Sequence, residues 1–293
     1  MTQRVFLVFV VVLLAGSALT SRAAVSVTDF EGRTVSLRSP AKRIVALAPH
    51  VVENLYSAGA GDLVVGVVDH SNYPPEALAL PSVGNYKSWN LELIAELEPD
   101  LIVMWASGNG LHQLEPLKQL NIPVYVSEPR SLSDVAKTIR GLGILADTVE
   151  VSRKTADAYE RKLAELKARY AREVPLSVFY QVWNDPLQTL NGSHLISSII
   201  ELCGGRNVFF DLPQLAPRVG LEAVLARNPE VVVASGMGEA RPEWLDEWRR
   251  FAELEAVRKD ALLFVNPDLI QRPTVRVLQG AGSLCEQMDA LEH

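Results

Sequence analysis

Cysteine, long apolar runs and clustered positive charge are all scarce in this chain, and each scarcity removes a class of protein. Only two cysteines occur among 293 residues, Cys203 and Cys285, so the chain is no disulfide-dense miniature domain. Standing so far apart, without close-spaced ligand partners, they do not form a metal site either. The apolar run Val5 to Ala15 is shorter than the ~20 residues that a spanning helix needs. Lys and Arg number 28 against 35 Asp and Glu, and no Lys/Arg-rich run breaks the acidic balance. A protein that grips phosphate backbones needs such a run, so no nucleic-acid partner is expected.

Enzyme signatures are missing as well. Gly59-Ala60-Gly61 is not followed by the Lys-Ser/Thr of a phosphate loop, and Gly236-Met237-Gly238 lacks the third glycine of a dinucleotide fingerprint. No Gly-x-Ser-x-Gly elbow occurs. His50 and His70 follow expected strands without a companion set of His, Asp or Glu, so they read as loop histidines rather than metal ligands. An exported hydrolase working through Asp and His stays open as an alternative, but it has no motif to stand on.

What is present begins with an export signal. Arg4 precedes the apolar run, and Ser21-Arg22-Ala23 offers small residues to a signal peptidase, so cleavage is expected after Ala23. Leu14-Ala15-Gly16 leads into Ser17 rather than Cys, so a free periplasmic protein is expected rather than a lipid-anchored one. Cleavage removes two basic and no acidic residues, taking the balance from 28 against 35 to 26 against 35, near −9. In an oxidising compartment Cys203 and Cys285 are expected to pair; two buried free thiols are the alternative.

The remaining chain has an α/β rhythm. Short β-branched runs at Arg43 to Leu47, Leu63 to Val68, Leu101 to Trp105 and Val124 to Val126 alternate with helical or turn-rich stretches, which predicts a mainly parallel sheet. From Thr148 to Glu173 one long helix is predicted, with Val151, Thr155, Tyr159, Leu163, Leu166 and Tyr170 on one face. Strand-like runs resume at Ser177 to Val182, Val231 to Ala234 and Ala261 to Val265, and a final helix is predicted from about Pro273 to Leu291. The fold class expected is α/β: two Rossmann-like lobes, 24–146 and 175–293, with mainly parallel sheets joined by one backbone helix over 147–174.

A short near-repeat pairs two glutamates. Asn90-Leu91-Glu92 leads through Pro99-Asp100 into Leu101 to Val103, and Gly220-Leu221-Glu222 leads at the same spacing through Pro229-Glu230 into Val231 to Val233. Glu92 and Glu222 each fall in the first turn of a predicted helix, where the macrodipole favours a carboxylate. They also present one carboxylate per lobe, which a two-fold symmetric partner could hold through arginines.

Five aromatics, Tyr73, Tyr86, Trp89, Trp105 and Trp183, lie in expected loops at or near strand ends, where α/β sheets bind ligands. Asp268, Gln271 and Arg272 follow the last strand and offer polar contacts there. Ordinary packing, for the aromatics, and a solvated loop, for the polar groups, are the competing readings.

Taken together, Ser71-Asn72-Tyr73-Pro74-Pro75, Asn90-Leu91-Glu92, Trp105 with Gly108-Asn109, and Glu201 to Phe209 resemble the helical-backbone (class III) substrate-binding proteins of ABC importers. Within that family the likeness is to the cobalamin binders, and it covers nearly the whole chain from Arg43. The resemblance implies a protein without its own cofactor or chemistry that captures cobalamin or a related corrinoid between its lobes. It implies delivery to an ABC permease dimer with its ATPase subunits, and a monomeric state. By position it assigns Tyr73, Trp105 and Asp268 to the ligand, Glu92 and Glu222 to permease docking, and Cys203 with Cys285 to a disulfide. Tyr86 stands where the family carries Trp, with Trp89 nearby, and Ala216 stands where a second cleft Trp is expected, with Trp183 in the same lobe. Haem or a ferric siderophore is the alternative ligand, the latter through Arg218, Arg272 and Arg276.

Overall fold

The computed structural model describes residues 24–236 and 240–292. The export segment, residues 1–23, lies outside the described residues.

Four parallel strands form the first sheet: β1 (Ile44–Ala46), β2 (Val64–Gly66), β3 (Leu101–Trp105) and β4 (Val124–Ser127), in the order β2-β1-β3-β4. Alternation along these strands splits their side chains between two cores. Ile44, Ala46, Leu101 and Val103 face one side with helix α1 (Pro49–Ser57), whereas Val45, Leu47, Ile102 and Met104 face the other. Ile94 of helix α2 (Leu91–Glu96) joins that second core. A parallel sheet must be covered on both faces, which is why its strands read as continuous apolar runs rather than alternating ones.

Helix α3 (Leu132–Ala146) closes the first face and turns directly into α4 (Val149–Arg169). The buried stripe of α4 is Ser152, Ala156, Tyr159 and Leu166; Val151, expected on that face, is exposed. Close approach of the two helices is the reason. A Cβ placed on Gly143 would fall 2.0 Å from Ser152 Oγ, so α4 meets α3 along its small residues and Val151 is left outside. The helix ends at Arg169, short of Glu173, where Tyr170 turns into the core.

The second sheet repeats the first. Strands β5 (Leu176–Gln181), β6 (Gly205–Asn207), β7 (Val231–Ala234) and β8 (Leu262–Phe264) are all parallel and run in the order β6-β5-β7-β8. Val178, Tyr180, Val231 and Val233 face a core shared with the first lobe through Tyr159, Leu166 and Tyr170, while Phe179, Val232 and Ala234 face an outer one. Helices α5 (Leu195–Leu202), α6 (Leu221–Arg227) and α7 (Val277–Asp289) cover it, with α6 standing before β7 as α2 stands before β3. Cys203, capping α5, is disulfide-bonded to Cys285 of α7, their Cα atoms 4.5 Å apart. Among the described residues no helix is long and apolar enough to cross a membrane.

Candidate functional site

In each sheet the strand order reverses between the first and third strands of the lobe, and the carboxyl ends of those strands open toward a crevice. Trp105 ends β3 and lines the cleft between the lobes. Its indole lies against Gly108, where a Cβ would fall 1.8 Å from the ring, so no larger residue fits there without moving the tryptophan. Asn109 fixes the backbone around it. Its Oδ1 accepts from the Trp105 N–H at 2.5 Å, and its Nδ2 donates to the carbonyls of Leu47 and Tyr86 at 2.9 and 2.5 Å. One buried side chain thereby ties the end of β3 to the loop carrying Tyr86, whose ring centroid is 6.4 Å from that of Trp105.

His50 supports the same wall from behind, meeting Trp105 edge-on with centroids 4.9 Å apart. Burial, with a smaller contribution from the charge on Arg272, lowers its pKa to about 3, so the imidazole is neutral, and among the described residues its Nε2 has no hydrogen-bond partner.

The opposite wall comes from the second lobe through Ser193, His194, Leu195, Leu215, Gln271 and Pro273. His194 caps α5, its Nδ1 accepting from the Ile196 N–H at 3.1 Å, which leaves the proton of the neutral ring on Nε2. Burial lowers its pKa to about 4. Leu215 is the cleft residue next to Ala216, whose carbonyl accepts from Gln188. The pocket these residues line is about 50 Å³, and Tyr86, next to Trp105, stays 38% exposed.

A charged cluster crosses from one lobe to the other at the cleft. Glu53 of α1, buried to 1%, accepts from Arg272 Nη1 at 2.8 Å and from Arg276 Nη2 and Nε at 2.9 and 3.0 Å. Arg272 also pairs with Asp268 at 3.0 Å and donates to Asn72 Oδ1 at 2.8 Å. The guanidinium of Arg276 stacks 3.6 Å from the centre of the Tyr73 ring. Next to Glu53, Asn54 donates to the Pro273 carbonyl at 3.0 Å.

The structure thus brings Trp105 and Tyr86 together on one wall, and joins Tyr73, Asp268 and Arg272 in the interlobe cluster. Arg272 is committed to protein partners. Trp89 packs against the outer core of the first sheet, and Trp183 lies on a small hairpin of the second lobe with its indole N–H on the Asp185 carbonyl. Sequence reading missed Asn109, Glu53 and His194 as site residues. For α1 a signal existed: His50, Glu53 and Asn54 stand at i, i+3 and i+4 on an otherwise apolar helix, a polar stripe that burial must satisfy.

Glu92 and Glu222 are both exposed on the first turns of α2 and α6. Asn90 Oδ1 caps α2 through the Glu92 and Leu93 N–H groups, whereas Gly220 gives α6 no side-chain cap.

Two parallel-sheet lobes on a helical spine, with an aromatic cleft between them, describe a bilobal binding protein. The sequence model described as Periplasmic binding protein matches residues 44–269, and the chain belongs to that family. The vitamin B12-binding protein of Vibrio cholerae El Tor is 38% identical over 84% of this chain and 88% of its own. That of Photorhabdus laumondii is 32% identical over 87% of this chain and 90% of its own. Among solved structures, the periplasmic vitamin B12-binding protein BtuF of Vibrio cholerae superposes with a TM-score of 0.79 at 37% identity, covering 86% of this chain and 98% of that one. The haem-binding protein RhuT of Roseiflexus sp. RS-1, at 21% identity and a TM-score of 0.72 over 86% of this chain and 99% of that one, shares the fold.

Proposed function

We propose that the protein captures cobalamin, or a related corrinoid, in the interlobe cleft and hands it to an ABC importer, with no catalysis of its own. The observation that carries this reading is the aromatic wall of Trp105 and Tyr86, locked by Asn109 and facing a second lobe across the cleft. Large flat ligands are held by such walls with a few placed polar groups. Kinship to vitamin B12-binding proteins over most of the chain points to the same ligand. Tyr73, Trp183 and Asp268 extend the contact surface in this reading, and Arg272 supports it from beneath.

The protein works as a periplasmic monomer, released by cleavage after Ala23. Residues 24–146 and 175–293 act as the two lobes on the 147–174 spine, and Glu92 and Glu222 dock each lobe on the permease dimer, whose ATPase subunits drive import.

Titration of purified protein with cyanocobalamin, followed by tryptophan fluorescence and calorimetry with haemin and a ferric siderophore in parallel, tests the ligand. Saturable one-to-one binding of the corrinoid alone is expected. Absence of corrinoid binding overturns the assignment and transfers it to whichever parallel ligand binds.

A further inference from the structure

Glu53 and Asp268 face Arg272 and Arg276, two carboxylates against two guanidiniums, so the cluster carries no net charge. Its most buried member is Glu53, while each arginine keeps 14% of its side chain exposed. A carboxylate taken this far out of water persists only when it is fully paired, and a neutral residue would be easier to bury. Stability alone is therefore a poor account of Glu53.

Paired arginines are also the groups that recognise carboxylates and other oxyanions on a ligand, through parallel charge-assisted hydrogen bonds. Here the protein supplies the oxyanion itself. We infer that Glu53 is a specificity-determining residue, an internal counter-ion that occupies Arg272 and Arg276 and makes the cleft select an uncharged corrinoid over anionic ligands. It acts on the wall too, because Arg276, held at both Nε and Nη2 by Glu53, is the cation stacked on Tyr73. The identity of the favoured ligand rests on the cobalamin reading; the counter-ion role does not.

The test compares wild type, Glu53→Gln, Asp268→Asn and Glu53→Gln/Arg276→Gln by calorimetry with cyanocobalamin, neutral overall, and haemin, which carries two carboxylates. Near-ultraviolet circular dichroism confirms the fold of each. Unmasking one guanidinium should tighten haemin binding by about tenfold, the worth of one charge-assisted hydrogen bond, and removing Arg276 as well should abolish the gain. Should Glu53→Gln fail to fold, Asp268→Asn, at a 32% exposed site, frees Arg272 of one of its two carboxylates and should tighten haemin binding by a smaller factor. Haemin affinity at the wild-type level in the folded single variants overturns the inference, as does a gain that survives loss of Arg276. Wild type that ignores cyanocobalamin while the variants gain haemin sinks the ligand reading and supports the counter-ion role.

Discussion

Glu92 and Glu222 occupy the same place in two copies of one unit: each is exposed in the first turn of a short helix that runs into the third strand of a 2-1-3-4 parallel sheet. A partner with two-fold symmetry meets the same carboxylate from either lobe. Each charge-assisted contact to an arginine contributes about 1.5–3 kcal/mol, or roughly ten- to hundredfold in affinity. Replacing either glutamate with Ala should weaken binding to the reconstituted importer by that factor, and replacing both should abolish uptake into proteoliposomes. Cyanocobalamin affinity should be unchanged. Full transport by the double variant would remove the docking role.

The near-repeat that pairs these glutamates was legible because strand, helix and spacing are local features. Strand positions such as Leu101–Trp105 and Val231–Ala234 were legible for the same reason, since buried parallel strands are short apolar runs. The interlobe cluster was not. Glu53 and Arg276 lie far apart in the chain, and a Glu on a predicted helix reads as solvated until the opposite lobe is placed upon it. Val151 was misplaced because periodicity weighs hydrophobicity, whereas the helix crossing is decided by how closely Gly143 and Ser152 allow the backbones to approach.

Trp105 forms the central part of the ligand wall in our reading, so truncating it should be costly. Aromatic anchors at such sites contribute about 2–4 kcal/mol, and Trp105→Ala should weaken cyanocobalamin binding roughly 30- to 1,000-fold. Gly108→Ala should produce a comparable loss without touching a ligand contact, because the new methyl would stand 1.8 Å from the indole and force the ring away. Calorimetric titration checks both, and wild-type affinity in Gly108→Ala would show that the ring position does not matter.

The Cys203–Cys285 disulfide closes a sequence separation of 82 residues within the second lobe. In the chain-entropy model a loop of that size stabilises by about 4.5 kcal/mol. Cys203→Ser/Cys285→Ser should lower the unfolding free energy by roughly 2–4 kcal/mol in urea while preserving ligand binding. Equal urea midpoints for the two proteins would mean that the bridge constrains nothing in the unfolded chain.

Acid should destabilise the protein through two histidines before the carboxylates titrate. Burial holds His50 at a pKa of about 3 and His194 at about 4, both below the ordinary 6.5. Below pH 6.5 the unfolded chain therefore takes up protons that the folded one refuses, and a state that binds fewer protons loses stability as pH falls. The stability present at pH 7 should decline by up to about 1.4 kcal/mol per pH unit for each histidine between pH 6.5 and 4. His50 alone continues the decline toward pH 3. His194→Asn separates this effect from loss of structure, because Asn also caps a helix N-terminus while carrying no titratable group. Urea unfolding at pH 7, 6 and 5 should show about half the wild-type slope in that variant. An unchanged slope would mean that His194 is protonated in the folded protein, and so faces water or a carboxylate rather than the buried cleft wall.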